Sequence, residues 1–98
     1  MKIAVIGCGR WGSFIAWYLD KIGNEVTLYG RESSEKMKNF LENRKNNFLE
    51  LPKSISLTTD IKDVFDKDLI IISVGTQGLR DLLNKNKELF KEKNIPII

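Results

Sequence analysis

Three glycines near the amino terminus have the spacing that most clearly implies chemistry. Gly7, Gly9 and Gly12 fit the pattern G-x-G-x-x-G. In this pattern the first glycine permits a tight turn, the second lets the backbone approach a pyrophosphate, and the third allows close helix packing. The N–H groups at a helix start are unpaired and the helix dipole is positive there, so the loop is predicted to bind a dinucleotide. A glycine-rich turn of purely structural origin is the alternative, but it does not require all three glycines at these offsets.

Two large side chains, Arg10 and Trp11, occupy the predicted first turn of the helix after the loop. We expect Arg10 to add positive charge beside the bound anion and Trp11 to cover the phosphates. Packing of Trp11 in the core is an equally good interpretation. Cys8 lies inside the loop without a second cysteine to pair with, so we interpret it as a small loop residue rather than a redox sensor.

The residues after the second predicted strand indicate which dinucleotide is preferred. Dinucleotide sites usually place Asp or Glu there to bind the adenosine ribose, whereas this chain has Gly30 and Arg31. A glycine leaves room for a 2′-phosphate, and a guanidinium can donate two charge-assisted hydrogen bonds to it. NADP(H) is therefore favoured over NAD(H). If Arg31 instead stacks on adenine or points into water, both cofactors stay usable, and the neighbouring Glu32 keeps that alternative open.

The pattern of apolar residues predicts the elements that position this loop. Residues 2–6 form a short apolar run typical of a strand buried on both faces, and residues 10–22 have helical periodicity. Further strands are predicted at 25–29, 54–57, 68–74 and 95–98, and further helices at about 34–43, 60–65 and 77–91. Ser33 or Ser34 is expected to cap the first of these helices, and Thr59 or Asp60 the second. Because strands separated by helices need crossover connections, the chain is predicted to form an α/β, Rossmann-type doubly wound parallel sheet.

The helical wheel of the first helix predicts which side faces the sheet. The predicted buried face consists of Ile15, Tyr18, Leu19 and Ile22. Trp17 falls on the opposite side beside Ser13, which suggests a surface covered by another subunit of a homo-oligomer or by another domain. After the fourth strand, Thr76 is interpreted as a helix cap, and residues 75–77 are expected to face the middle or the nicotinamide end of an extended cofactor.

Composition excludes several classes of protein. The chain has 98 residues, of which 42% are apolar and 30% charged, as in one globular domain or part of one. With one cysteine and no histidine, neither a disulfide framework nor the usual zinc site can be assembled, and no metal is expected. The longest apolar run, residues 69–72, is far too short to span a membrane. The net charge of +3 comes from basic residues interleaved with acids, so no nucleic-acid partner is expected. The apolar stretch at the start of the chain is too short for a signal peptide, which favours a cytoplasmic protein.

Four stretches together resemble the amino-terminal domain of NAD(P)-dependent glycerol-3-phosphate dehydrogenase. They are residues 6–12, 25–31, 58–61 and 74–80. The most telling combination is Trp11 before the third glycine, Arg31 after the second strand and the Thr-Gln-x-Leu-Arg segment at 76–80. Two departures stand out, since the family usually has Ser in place of Arg10 and Val-Pro-Ser-Gln in place of residues 74–77.

The resemblance implies hydride transfer between NAD(P)H and dihydroxyacetone phosphate, reversibly giving glycerol 3-phosphate for phospholipid synthesis. It also implies that the catalytic lysines and the small-molecule substrate site lie beyond residue 98. Residues 1–98 are then a dinucleotide-binding domain that stops in its fifth strand, contains no catalytic residue and is inactive alone. The alternatives are a standalone non-catalytic dinucleotide-binding module, or part of a ketopantoate-reductase-like NADP-dependent reductase.

Overall fold

Four parallel strands form one sheet in a computed structural model that describes residues 1–92 and 95–98, without the side chains of Thr76 and Gln77. The strands are β1 (Lys2–Ile6), β2 (Glu25–Tyr29), β3 (Ser56–Thr58) and β4 (Leu69–Ile72), in the order β3-β2-β1-β4. At the outer edge of β4, Ile97 forms a parallel bridge with Ile70, and the Ile98 N–H donates to the Ile70 carbonyl at 2.9 Å. The predicted fifth strand therefore begins next to β4. The doubly wound parallel sheet predicted from the sequence is confirmed.

The helices follow the strands in the alternation that the sequence predicts. They are α1 (Arg10–Lys21), α2 (Glu35–Asn43), a 3-10 helix (Ile61–Val64), α3 (Thr76–Lys85) and α4 (Lys87–Glu92). The single helix expected over residues 77–91 is wrong, because it is divided at Asn86. There the Asn86 side chain donates to the Leu82 carbonyl at 2.9 Å, in competition with the helix backbone.

The core lies on both faces of the sheet because neighbouring residues of a strand point to opposite sides. Along β1, Val5 belongs to the cluster under α1 and α2, while Ala4 and Ile6 belong to the cluster on the other side. On that second side the rings of Phe65 and Phe90 meet edge to face at 5.0 Å. Within residues 1–92 and 95–98, no helix has both the length and the apolarity needed to cross a membrane.

Helix α1 turns a different face to the sheet from the one predicted. Its fully buried residues are Gly12, Ser13 and Ala16. Ile15 and Leu19 are half-buried as expected, but Tyr18 is 50% exposed and Ile22 is 58% exposed. The prediction is therefore wrong for Tyr18 and Ile22. Small residues face the sheet because they allow the helix to approach closely.

Ser13 and Trp17 were both expected on the polar side of α1, and both are more buried than that. Ser13 is satisfied inside the protein, since its hydroxyl donates to the Gly9 carbonyl at 2.8 Å and accepts from the Asn46 amide at 3.2 Å. Trp17 is half-buried and packs against the first core cluster, with the Lys21 ammonium 4.7 Å from its ring centroid. Part of the Trp17 indole is therefore covered within the chain itself.

Candidate functional site

A cleft of about 930 Å³ opens where the carboxyl ends of β1, β2 and β4 meet, and we call it the carboxyl-edge cleft. Its wall near β1 contains Gly7 and Gly9, its wall near β2 contains Arg31 and Lys36, and its wall near β4 contains Gly75. The strands β1 and β4 are neighbours in the sheet, but the helices that follow them pack on opposite faces of it, α1 on one and α3 on the other. Open α/β sheets bind ligands at such a switch point, and the volume suits a small organic molecule.

Gly7 makes the turn that ends β1. Its φ of +118° lies in a region that residues with a side chain rarely adopt. Its N–H donates to the Tyr29 carbonyl at 2.9 Å. A Cβ at this position would stand within 2.2 Å of the Ser73 carbonyl oxygen. The backbones of β1, β2 and β4 therefore converge here too closely for any residue but glycine.

Gly12 brings α1 against the same turn. A Cβ on Gly12 would lie 1.9 Å from the Gly7 carbonyl oxygen, so helix and loop are in direct backbone contact. This contact fixes where the start of α1 points. The first turn of the helix is thereby held at the carboxyl edge of the sheet.

Gly9 leaves the start of α1 open. It occupies the cap position with φ −72° and ψ −169°, and it has no side chain to accept a capping hydrogen bond. The helical hydrogen bonds begin with the Ser13 N–H donating to the Gly9 carbonyl at 2.9 Å, so the N–H groups of residues 10–12 precede them. By contrast, α2 is capped by the Ser34 hydroxyl, which accepts from the Met37 N–H at 3.3 Å. The uncapped N–H groups of α1 can therefore bind an anion.

The end of β2 supplies a tightly packed glycine and a cation. A Cβ on Gly30 would lie 2.7 Å from the Met37 sulfur and 2.9 Å from the Cys8 sulfur, so the packing of α2 also requires a small residue there. Arg31 is exposed and lines the cleft. Burial raises the pKa of the neighbouring Tyr29 phenol; the Arg31 charge opposes this rise and Asp60 adds to it. Tyr29 is therefore protonated at neutral pH.

The six residues predicted to bind the cofactor fall into two groups. Gly7, Gly9 and Arg31 line the carboxyl-edge cleft. The described residues that line it do not include Arg10, Trp11 or Gly12. The Arg10 guanidinium lies 4.4 Å from the centroid of the Phe48 ring. Trp11 is 70% exposed, which excludes the core-packing interpretation. Contact of these two side chains with a cofactor stays a prediction.

Sequence reasoning missed the contribution of α2 to the cleft. Lys36, the second residue of α2, has its ammonium nitrogen 3.8 Å from the point that a Gly9 Cβ would occupy. The signal was present, because the expected serine cap places Lys36 in the first helical turn directly after β2. Cys8, also in this region, is buried, and its sulfur lies 3.5 Å from the Ser34 hydroxyl oxygen.

The connection after β4 forms the far wall of the cleft. The helix α3 begins at Thr76, and its cap position is Gly75, with φ −67° and ψ 167°. The expectation that Thr76 is the cap is therefore wrong by one residue. The side chains of Thr76 and Gln77 lie outside the described part of the chain, and their orientation toward a cofactor stays a prediction. The α3 residues Asp81 and Lys85 line the same wall.

These features define a class of protein. A buried parallel strand, a G-x-G-x-x-G turn, and a helix whose open amino terminus lies at the carboxyl edge of the sheet are the parts of a Rossmann-type dinucleotide-binding domain.

Comparison with known families narrows this class. Residues 2–98 match the family described as NAD-dependent glycerol-3-phosphate dehydrogenase N-terminus. The chain belongs to this family, as its sequence resemblance indicated. The match favours this family over the ketopantoate-reductase-like alternative.

The chain is similar to several curated relatives along almost its whole length. It is 34% identical to the glycerol-3-phosphate dehydrogenase [NAD(P)+] of Thermoanaerobacter sp. (strain X514), a match that covers 100% of this chain and 30% of the relative. It is 35% identical to the enzyme of that name from Orientia tsutsugamushi (strain Boryong), over 90% of this chain and 28% of the relative. The chain thus spans about 30% of the length of the curated relatives it matches.

Solved structures share the fold. A crystal structure of glycerol-3-phosphate dehydrogenase from Coxiella burnetii superimposes with a TM-score of 0.81 at 24% identity, covering 98% of this chain and 30% of that one. A complex of D-mandelate dehydrogenase with NADH gives a TM-score of 0.68 at 32% identity, covering 99% of this chain and 30% of that one.

Proposed function

We propose that this chain is the dinucleotide-binding part of a glycerol-3-phosphate dehydrogenase and that it binds NAD(H) or NADP(H) in the carboxyl-edge cleft. The observation that carries the proposal is the open start of α1, where Gly9 leaves the N–H groups of residues 10–12 uncapped. Membership of the family and the names of the curated relatives support it.

The diphosphate of the cofactor would be held by backbone rather than by side chains. Gly7 and Gly12 set the direction of α1 through their close backbone contacts, and Gly9 gives an anion access to the N–H groups. The positive end of the helix dipole adds to this attraction. Binding through the backbone does not distinguish NAD(H) from NADP(H), because both contain the diphosphate.

Selection between the two cofactors is assigned to the end of β2. No carboxylate follows the strand directly, since Gly30 and Arg31 take these positions. Arg31 is exposed at the cleft, where its guanidinium can donate two hydrogen bonds to a 2′-phosphate. We therefore propose a preference for NADP(H).

The reaction is hydride transfer between the cofactor and the pair dihydroxyacetone phosphate and glycerol 3-phosphate. When bound, the nicotinamide supplies or accepts the hydride. Within this chain the walls near Gly9 and Gly75 orient the cofactor, and no catalytic residue is assigned to residues 1–98. The catalytic lysines and the substrate phosphate site are proposed to be supplied by a further domain, since the chain spans about 30% of the length of its relatives. The chain alone is then expected to bind cofactor without turnover.

A titration with NADPH and NADH tests this proposal. Binding should shift the amide resonances of residues 7–12, and an unchanged spectrum at millimolar concentrations of both cofactors would overturn the proposal. Arg31→Gln should weaken NADPH binding by about 1.5–3 kcal/mol, the usual cost of losing a charged hydrogen bond, and leave NADH binding nearly unchanged. Lys53→Gln is the matched control, because Lys53 is exposed outside the cleft and its loss changes the net charge equally. Equal losses for both cofactors in Arg31→Gln would remove the 2′-phosphate assignment.

A further inference from the structure

The ammonium group of Lys36 faces the open space in front of Gly9. Its nitrogen lies 3.8 Å from the position that a Gly9 Cβ would occupy. Apart from Gly9 and its neighbours in the chain, it is the only heavy atom of the described residues within 4 Å of that position. Beyond the chain neighbours of Gly9, the charged group nearest to this gap in the described residues is therefore a cation.

The stability of α2 does not explain a cation at this place. Lys36 lies in the first turn of α2, where the positive end of the helix dipole disfavours a positive charge. Among residues 1–92 and 95–98, the ion pairs within 4.0 Å are Lys38 with Glu35, at 3.9 Å, and Lys67 with Asp66, at 2.8 Å. Lys36 thus has no carboxylate partner in the described part of the chain. An anion in front of Gly9 would balance its charge.

The base of Lys36 is held in a fixed relation to the glycine loop. On one side of it, the Ser34 hydroxyl caps α2 and lies 3.5 Å from the Cys8 sulfur of the loop. On the other side, Met37 is fully buried and packs directly beside Gly30. These contacts attach the first turn of α2 to the loop, so Lys36 can reach the space at Gly9 without a rearrangement of the backbone.

We propose that Lys36 is a second phosphate-binding element of the cleft and that its ammonium binds the diphosphate of the dinucleotide together with the start of α1. This inference rests on the proposed function. It assigns to α2 a contact that the glycine pattern does not include. Because the diphosphate is common to both cofactors, Lys36 contributes equally to NADH and NADPH binding, whereas Arg31 is assigned to NADPH alone.

The test is a comparison of Lys36→Gln with the unmodified chain in titrations with NADH, NADPH and ADP-ribose. All three ligands contain the diphosphate, so each should bind about tenfold more weakly to the variant at low ionic strength. The salt dependence of binding should also become shallower. Lys36→Arg keeps the charge and should bind within about twofold of the unmodified chain, and Lys53→Gln should match the unmodified chain.

The outcomes separate this inference from the proposed function. If the unmodified chain binds none of the three ligands, the proposed function fails and this inference fails with it. If the unmodified chain binds them and Lys36→Gln binds them equally well, only the role of Lys36 is overturned. A loss confined to NADPH would place Lys36 at the 2′-phosphate and overturn its assignment to the diphosphate. Thermal unfolding of each variant checks the fold, and since Lys36 is exposed and unfavourable to the α2 dipole, no loss of stability is expected.

Discussion

Two connections from a strand to a helix meet at the carboxyl edge of this sheet, one from β1 to α1 and one from β4 to α3. Both helices begin behind a glycine in extended conformation, Gly9 with ψ −169° and Gly75 with ψ 167°. The first connection is crowded, because a Cβ on Gly12 would lie 1.9 Å from a backbone oxygen. The second is open, because the described atom nearest to a Cβ on Gly78 would be in the Val74 side chain, at 3.5 Å.

This difference shows which glycines are explained by the fold and which are not. Gly7 and Gly12 are required by backbone contacts inside the protein, whether or not a ligand binds. Among the described residues, no backbone atom makes such a contact with Gly9, so their packing does not account for the absence of a side chain there. The strongest structural support for a ligand therefore comes from the open space at Gly9 and not from the three-glycine pattern as a whole.

The largest expected effect is on folding and contrasts the two helical glycines. Gly12→Ala should lower the free energy of unfolding by about 1–3 kcal/mol, because the new methyl group overlaps the Gly7 carbonyl. Gly78→Ala should raise it by about 0.4–1 kcal/mol, because alanine favours the helix and there is room for the methyl group. Urea unfolding measures both changes. If the two variants shift stability in the same direction, the two connections do not differ in crowding.

The next effect is on binding and concerns Gly9. Its backbone angles suit alanine, and in the described part of the chain a Cβ there would meet, beyond its chain neighbours, only the flexible end of Lys36, at 3.8 Å. Gly9→Ala should therefore fold normally, while the methyl group keeps a diphosphate away from the N–H groups of α1. We expect NADH and NADPH binding to weaken by about 1.4 kcal/mol, a factor of ten, in a calorimetric titration. Unchanged binding to a folded variant would contradict the role of the open space.

The smallest effect concerns Tyr29, whose carbonyl oxygen accepts the Gly7 N–H in the crowded connection. Burial raises the pKa of its phenol above the ordinary value of about 10. Because the folded protein favours the protonated phenol, the contribution of this group to the free energy of unfolding is fully present at pH below that ordinary value. It is lost as the pH rises through the folded-state pKa. Tyrosinate absorbance can be titrated in the unmodified chain and in Tyr29→Phe. Subtracting the second curve from the first isolates the Tyr29 phenol, whose pKa should lie above the ordinary value. Tyr29→Phe should also lose less stability than the unmodified chain in alkaline solution. A Tyr29 pKa at or below the ordinary value would contradict the burial argument.

The sequence predicted the order of the elements because each depends on neighbours in the chain. The apolar run of residues 2–6 and the alternation of residues 25–29 identified β1 and β2 with their observed bounds. The sequence narrowed two helix caps to adjacent pairs of residues, and the structure shows Ser34 and Asp60 as the caps, since their side chains accept from N–H groups two or three residues away. The division of α3 from α4 at Asn86 was missed, because an amide can either continue a helix or compete with it.

Features that depend on distant parts of the chain were beyond the sequence. The wheel of α1 placed Tyr18 and Ile22 inward, but the contact of Gly12 with the β1 turn rotates the helix and leaves both exposed. Likewise, nothing in the local pattern indicated that the Arg10 guanidinium lies over the ring of Phe48, which is far from it in the chain; its predicted place beside an anion stays a prediction.

By itself the sequence determined a parallel α/β sheet, a glycine turn after its first strand and a cation after its second, because these features depend on local spacing and residue type. Only the tertiary structure decided that Gly9 is open while Gly7 and Gly12 are enclosed, and that Lys36 of α2 faces the open position. The physical reason is that crowding and charge at one point in space depend on three strands and two helices, whose separation no local pattern specifies.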